Sequence, residues 1–233
     1  MIDKRCDSLA QALEPIKDGA RIMISGFGES GRPDMLIKAL LDKGVRDLEL
    51  VSNNPGEGTR GLAALFLAKR VGRLICSFPR GDMQDEIEAQ VRAGTLTLDV
   101  MPQGTLAERI RAAGAGIAAF YTPTSFGTLA AKGKETRMFD GVGHVLEHAL
   151  HADFALIKAE RADRWGNLTY DKLGRSFAPL MASAAKHTIA EADTLGDLGS
   201  IAPEHVITPG IFTDCLVQTR PVTDWPAEKG AAA

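Results

Sequence analysis

The stretch Asp18-Gly19-Ala20-Arg21-Ile22-Met23-Ile24-Ser25-Gly26-Phe27-Gly28-Glu29-Ser30-Gly31-Arg32-Pro33 decides the fold class. Arg21–Ser25 is a short apolar run with the composition of a buried strand. Gly26, Gly28 and Gly31 then crowd one turn. Pro33 suits the first turn of a helix, where the missing N–H has no intrahelical partner to lose. The whole reads as one βα unit, and similar units flank it. Residues 8–17 have helical character before it. Asp47–Ser52 is a second strand followed by a helix at Leu62–Lys69, and Arg73–Phe78 a third followed by a helix over 83–93. Leu96–Met101 is a fourth, with a helix at Thr105–Ala113. This alternation predicts an α/β fold, a mostly parallel sheet with helices on both faces.

Beyond residue 114 the pattern loosens. Gly and Ala are dense in Ala112–Ala119, and Pro123 and Gly127 follow. Phe154–Ala159 and Leu168–Tyr170 read as strands around a turn at Arg164–Asn167. Residues 177–185 read as helix, and Thr188–Glu191 and Cys215–Gln218 as further strands. The expectation is a single domain over residues 1–220 with an irregular C-terminal half, and a frayed tail over 221–233 that ends in Lys-Gly-Ala-Ala-Ala.

Composition excludes several classes. With 45% hydrophobic and 24% charged residues, the 233-residue chain can build a core rather than stay disordered. A net charge of −3 without a basic run argues against a nucleic-acid surface. No apolar run reaches the roughly 18 residues of a membrane span, and the polar, mixed-charge N-terminus does not look like a signal peptide. Cys6, Cys76 and Cys215 are far apart and odd in number. That suits a reducing cytoplasm and offers neither a disulfide framework nor a Cys-x-x-Cys metal site.

Four segments could carry chemistry. Ser25-Gly26-Phe27-Gly28-Glu29-Ser30-Gly31 matches G-x-G-x-x-G, a pattern in which backbone N–H groups at a helix N-terminus approach a ligand's phosphates. The dinucleotide form wants an acidic residue about 20 positions on, at the end of the second strand. Here that strand ends in Ser52-Asn53-Asn54, so the alternative is a tight turn with no ligand. Asn53 and Asn54 sit where ligands of open sheets bind and could donate to a carboxylate or thioester oxygen. A plain Asn-Pro-Gly turn accounts for them equally. Gln103, past the fourth strand, is a neutral oxyanion donor or an exposed loop residue. Glu108 and Arg109 behind it read as a solvated or structural charge pair. Phe120–Thr128 supplies Gly, Pro and hydroxyls among aromatics, either as a wall near a ligand or as a structural crossing. There is no Gly-x-Ser-x-Gly elbow and no Walker lysine loop. His144, His148 and His151 are separated by residues of buried-chain character, so no metal site is expected. No side chain reads as a self-sufficient nucleophile.

Together these segments resemble the family I CoA-transferases. The resemblance rests on Asp18–Phe27 followed by Gly31-x-Pro33, on Ser52-Asn53-Asn54, and on Pro102–Gly116. It continues through Thr122-Pro123-Thr124 with Gly127-Thr128 and through Ala155–Tyr170. Most members have Gly-Gly-Phe where this chain has Ser25-Gly26-Phe27, so the backbone at Ser25 must accept an ordinary φ. The resemblance is to the A-type half of the family. It implies that the nucleophile is a glutamate in a Ser-Glu-Asn-Gly motif of a B-type partner, a motif missing from this chain. It also implies that coenzyme A is a CoA-ester substrate rather than a tightly bound cofactor. Ser25–Gly31 would then bind the CoA ester and Gln103 would support the oxyanion. Within the family, Cys76–Arg80 and Asp163–Tyr170 look most like the branch that uses succinyl-CoA and 3-oxoadipate. Both acids are dicarboxylic, so Arg80 is the candidate cation for the distal carboxylate, with Asn53 and Asn54 beside the acyl group. The alternatives are the acetoacetate-type branch and a CoA-binding regulatory module without turnover.

Overall fold

The computed structural model describes residues 2–225. Its first half follows the repeat read from sequence. α1 (Leu9–Leu13) precedes β1 (Arg21–Ile24), α2 (Asp34–Lys43), β2 (Leu48–Val51) and α3 (Leu62–Leu67). β3 (Val71–Cys76), α4 (Gln84–Arg92), β4 (Thr97–Val100) and α5 (Gln103–Gly114) follow. The second half holds β5 (Ala119–Thr122), β6 (Thr136–Phe139), β7 (Val142–His148), β8 (Ala152–Asp163), β9 (Leu168–Thr169), α6 (Ala178–Ala184), β10 (Ala185–Gly196) and β11 (Cys215–Gln218). No helix among the described residues is long and apolar enough to cross a membrane.

The main sheet runs β11-β10-β8-β1-β2-β3-β4, with β9 folded back on β8. Every pair along that path is parallel. Side chains alternate between faces, so Ile22 and Ile24 point into one core with α1 to α4, while Met23 points into the other with α5 and α6. Both cores are apolar, and β1 and β2 are buried on both faces apart from Arg21 and Glu49 near the strand starts. The chain lays down β1 to β4 in one direction and returns to place β8 on the other side of β1. Between β1 and β8 the order of winding reverses, and the Gly26–Gly31 loop leaves the sheet at that point.

The segment expected to be irregular contains a second sheet, three antiparallel strands in the order β5-β7-β6. β6 is exposed throughout, so its short sequence lacks the hydrophobic alternation that would have revealed it. The Gly/Ala-dense stretch also has an internal use. Ala112 and Ala113 are buried, and a Cβ on Gly114 would overlap the Ser183 side chain of α6. The small residues set the α5–α6 approach within the chain.

One expectation about the cysteines changes. The backbone of Arg5 runs beside Leu216 as a parallel bridge, which brings Cys6 to Cys215. The two are joined in a disulfide with Cα atoms 5.9 Å apart. A separation of 209 residues in sequence hid that proximity. At the other end, Val222 and Trp225 pack against the core and Asp224 pairs with Lys38 at 3.2 Å. Residues 226–233 lie outside the described residues.

The α5–α6 contact gives a first prediction. Gly114→Ala should lower stability, because overpacking costs about 1–3 kcal/mol against about 1 kcal/mol gained from replacing a helical glycine. Ser183→Gly in the same chain should recover part of the loss. Urea unfolding of the two single variants and the double variant measures both.

Candidate functional site

Four strand ends converge on one edge of the sheet. β1 delivers Ser25 and the glycine loop, β2 delivers Ser52–Gly56, β3 delivers Ser77 and Phe78, and β4 delivers Met101–Gln103. Between them lies a cavity of about 420 Å³ lined by Phe27, Gly28, Asn53, Asn54, Glu57, Ser77, Phe78 and Gln103. The structure therefore brings together Phe27, Gly28, Asn53, Asn54 and Gln103, which belong to three separate motifs in sequence.

Asn53 is the hub, at 5% exposure. Its Oδ1 accepts from Ser77 Oγ at 2.8 Å and from Gln103 Nε2 at 2.6 Å. Its backbone carbonyl accepts from the Ser77 and Phe78 amides at 3.1 and 3.0 Å. In this arrangement Oδ1 takes both donors. The Asn53 amide nitrogen makes no hydrogen bond among the described residues and remains available as a donor. Gln103 opens α5, so the positive end of a twelve-residue helix lies against the same cavity. Asn54 plays a different part. Its Oδ1 accepts from the Gly56 amide at 2.9 Å and its carbonyl accepts from Ser52 Oγ at 2.7 Å, which is the turn-forming role.

The glycine loop is built differently from a phosphate cradle. Phe27 and Ser30 exchange both backbone hydrogen bonds, which makes Phe27–Ser30 a tight turn with Gly28 and Glu29 at its tip. The N-terminus of α2 is closed to a phosphate, because the Asp34 amide donates to Arg32 O and the Leu36 amide to the Glu191 carboxylate. Gly28 has φ 59° and open space around its missing Cβ, so the tip itself is accessible. Gly31 is required for another reason, since a Cβ there would overlap the Gly174 carbonyl. Ser30 and Gly31 line a separate recess on the β8 side with Lys158, Glu160 and Asp193. Glu29 turns toward Arg32 at 3.6 Å rather than into the cavity. Ser25 is not among the residues of positive φ. Its hydroxyl donates to Gly31 O at 2.7 Å and accepts from the Lys158 amide at 3.1 Å, fastening the base of the loop.

Other candidate segments turn out to be structural. No residue of Phe120–Thr128 lines the cavity; the segment forms β5 and the crossing after it. Glu108 and Arg109 do not pair with each other, because neighbours on a helix point about 100° apart. Glu108 pairs with Arg111 at 2.7 Å, and Arg109 donates to His148 O at 2.7 Å. Asp163–Asn167 is a turn closed by the Asp163 carboxylate, which accepts from the Trp165 and Asn167 amides and from Asn167 Nδ2. Arg80 is exposed and outside the cavity wall, two residues beyond Phe78. Sequence reasoning missed Ser77, Phe78 and Glu57 as lining residues. Position at a strand end could have flagged Ser77 and Phe78, but Glu57 carries no such signal.

A family profile described as coenzyme A transferase matches residues 6–219. The chain belongs to the coenzyme A transferase family. It is 55% identical over 217 residues to the A-type chain of the 3-oxoadipate CoA-transferase of Pseudomonas putida, covering 93% of this chain and 94% of that one. It is 50% identical over 227 residues to the protein of the same name from Acinetobacter baylyi, with 97% and 98% covered. Among solved structures, the thioester complex with CoA of an acyl-CoA transferase from E. coli O157:H7 superposes with a TM-score of 0.80. The identity there is 21%, over 99% of this chain and 49% of that one, which supports the fold alone.

Cys76 lies at the end of β3 and is the free, buried thiol of this CoA-transferase chain. Burial pushes it up to about 12, so it is no nucleophile at neutral pH. Iodoacetamide at about pH 8 should leave Cys76 unmodified in the native chain and label it in denaturant, as peptide mass mapping would read directly.

Proposed function

We propose that this chain is the A-type half of an enzyme that moves CoA from succinyl-CoA to 3-oxoadipate, with the nucleophilic glutamate supplied by a B-type partner. The observation that carries this reading is the Asn53–Gln103–Ser77 constellation. It holds two neutral amide donors, Asn53 and Gln103, at the strand ends with Ser77 bracing Asn53, the equipment for a developing oxyanion. The match to relatives named as A-type chains supports the division of labour.

In this reading the partner's carboxylate attacks the carbonyl carbon of the succinyl thioester. The tetrahedral oxyanion collapses to an acyl-glutamyl anhydride and expels CoA thiolate. The thiolate attacks the glutamyl carbonyl, which releases succinate and leaves a glutamyl-CoA thioester. 3-Oxoadipate then reverses both steps and departs as its CoA ester. Each tetrahedral species carries one negative oxygen, and the Asn53 and Gln103 amides would donate to it. Phe27 and Phe78, half exposed at the cavity mouth, would flank the pantetheine arm. Catalysis needs no tightly bound cofactor in this scheme, and the enzyme would work on products of aromatic breakdown. Glu57 is the one carboxylate in the cavity wall among the described residues, so a nucleophile within this chain is the competing reading.

The two readings separate by mass. The assembled pair is incubated with succinyl-CoA alone, and each chain is weighed intact. A CoA adduct on the partner, with no turnover by this chain on its own, supports the proposal; an adduct on this chain would sink it. In the active pair Gln103→Ala should lower kcat by about 10²–10³, the effect of removing one oxyanion donor. If Arg80 clamps a distal carboxylate, Arg80→Met should reduce kcat/KM for 3-oxoadipate and succinyl-CoA together. A charge-assisted hydrogen bond of about 1.5–3 kcal/mol corresponds to a roughly ten- to hundredfold loss. Monocarboxylic acyl-CoA use should fall much less, and an equal loss on both classes would assign Arg80 to the fold or to the contact with the partner.

A further inference from the structure

Glu191 is a carboxylate in the middle of β10, 1% exposed, within the core formed by α1 to α4. Its strand neighbours on the same face include Ile189, and Val217 lies beside it on β11. Nothing about the local packing asks for a charge there. What the carboxylate does is reach α2. Glu191 Oε2 accepts from the Leu36 amide at 3.0 Å across 155 residues of sequence, and the carboxylate also faces the Met35 amide. The start of α2 has no cap of its own, because its N-cap residue is Pro33 and makes no side-chain hydrogen bond. Glu191 thus supplies from another strand what a local Ser or Asp supplies elsewhere.

The first turn of α2 is in turn tied to the glycine loop. Asp34 pairs with the buried Arg32 guanidinium, and the same guanidinium reaches Glu29 at the loop tip, 3.6 Å away. A Cβ on Gly61 would collide with that guanidinium, so the surroundings leave Arg32 little freedom. Ser25 holds the opposite end of the loop through Gly31 O. From these contacts we infer that Glu191 is a positioning residue: by fixing the first turn of α2 it sets, through Asp34 and Arg32, the position of the Phe27–Ser30 turn and hence productive seating of the CoA ester. The last clause rests on the proposed function of the loop; the mechanical clause does not.

The linkage has a pH signature. Burial pushes Glu191 up to about 7, with Lys158 opposing and Asp34 adding to the rise. These are the charged groups that face it from β8 and α2; Lys158 is itself paired with Asp193 on β10 and bonded to Thr219 Oγ1. An acid whose proton is held more tightly in the folded state stabilises the fold at low pH and loses that stabilisation as pH rises through about 7. The ionised form, however, is the stronger acceptor for the α2 amides. Seating of the loop should therefore be better above about pH 7 and poorer below it.

The test uses the assembled pair and the full chain. Glu191→Gln keeps the shape and one carbonyl acceptor; Glu191→Ala removes the cap. KM for both CoA esters should rise roughly tenfold in the Ala variant and less in Gln, with kcat moving less than KM. The fall in KM of the wild type as pH is raised through about 7 should vanish in Gln. Amide exchange of residues 27–31 should quicken in both variants while that of β1 stays slow. Wild-type KM values and wild-type exchange of the loop in both variants would overturn the inference, even if the melting temperature fell. Should Ala fail to fold, Gln alone decides by the same readings. Gly28→Val serves as the separate check on the loop. If it leaves KM unchanged, the loop is not where the CoA ester sits, and exchange at 27–31 then decides whether Glu191 holds the loop.

Discussion

Strand β1 pairs in parallel with β2 on one edge and β8 on the other, in register from Arg21↔Glu49 and Ile22↔Phe154. Most other features follow from this double pairing. Beyond Arg21 at its start, a strand so enclosed has no wet face, so Ile22, Met23 and Ile24 are fully buried between two helix layers. Because the order of winding reverses beside it, the chain leaving β1 cannot be covered by a neighbouring crossover. It emerges into the crevice where open α/β sheets place their ligands. The turn at Phe27–Ser30, the Asn53 hub and Gln103 are neighbours because β1 to β4 end side by side.

Buried polar groups then convert proximity into geometry. A buried donor or acceptor without a partner costs about 1–3 kcal/mol, so each such group admits very few arrangements. Ser25 Oγ is satisfied on both sides, by Gly31 O and by the Lys158 amide. Asn53 Oδ1 is satisfied by two donors from two further strand ends. Glu191 is satisfied by the amides of α2. None of these bonds lies within a single element. They join strand ends and helix starts that the sheet has already brought near, and they remove the last freedom of the loops between them.

The same pattern explains the divided character of the recognition motifs. Phe27 and Gly28 line the cavity and Ser25 fastens the base of the loop. Asp163–Asn167 and Phe120–Thr128 contribute turns and a second sheet instead. Resemblance located the fold; hydrogen-bond partners separate the residues that line the cavity from those that hold a corner.

Local sequence pattern was enough for the βα repeat, the parallel sheet, the covered faces and the resemblance to the CoA-transferases, because strand and helix periodicity and glycine turns are carried by adjacent residues. It also marked Asn53 and Gln103, since residues just past strand ends fall at the ligand edge of any such sheet. The antiparallel β5-β7-β6 sheet was not legible, because β6 is exposed on both faces and shows no alternation. Nor were the Cys6–Cys215 bond, the Gly114–Ser183 contact or the reach of Glu191 to α2, which join residues 209, 69 and 155 positions apart. These emerge only in the assembled fold, since a side chain's partner across the sheet is set by strand order and register, and neither is written in the residues beside it.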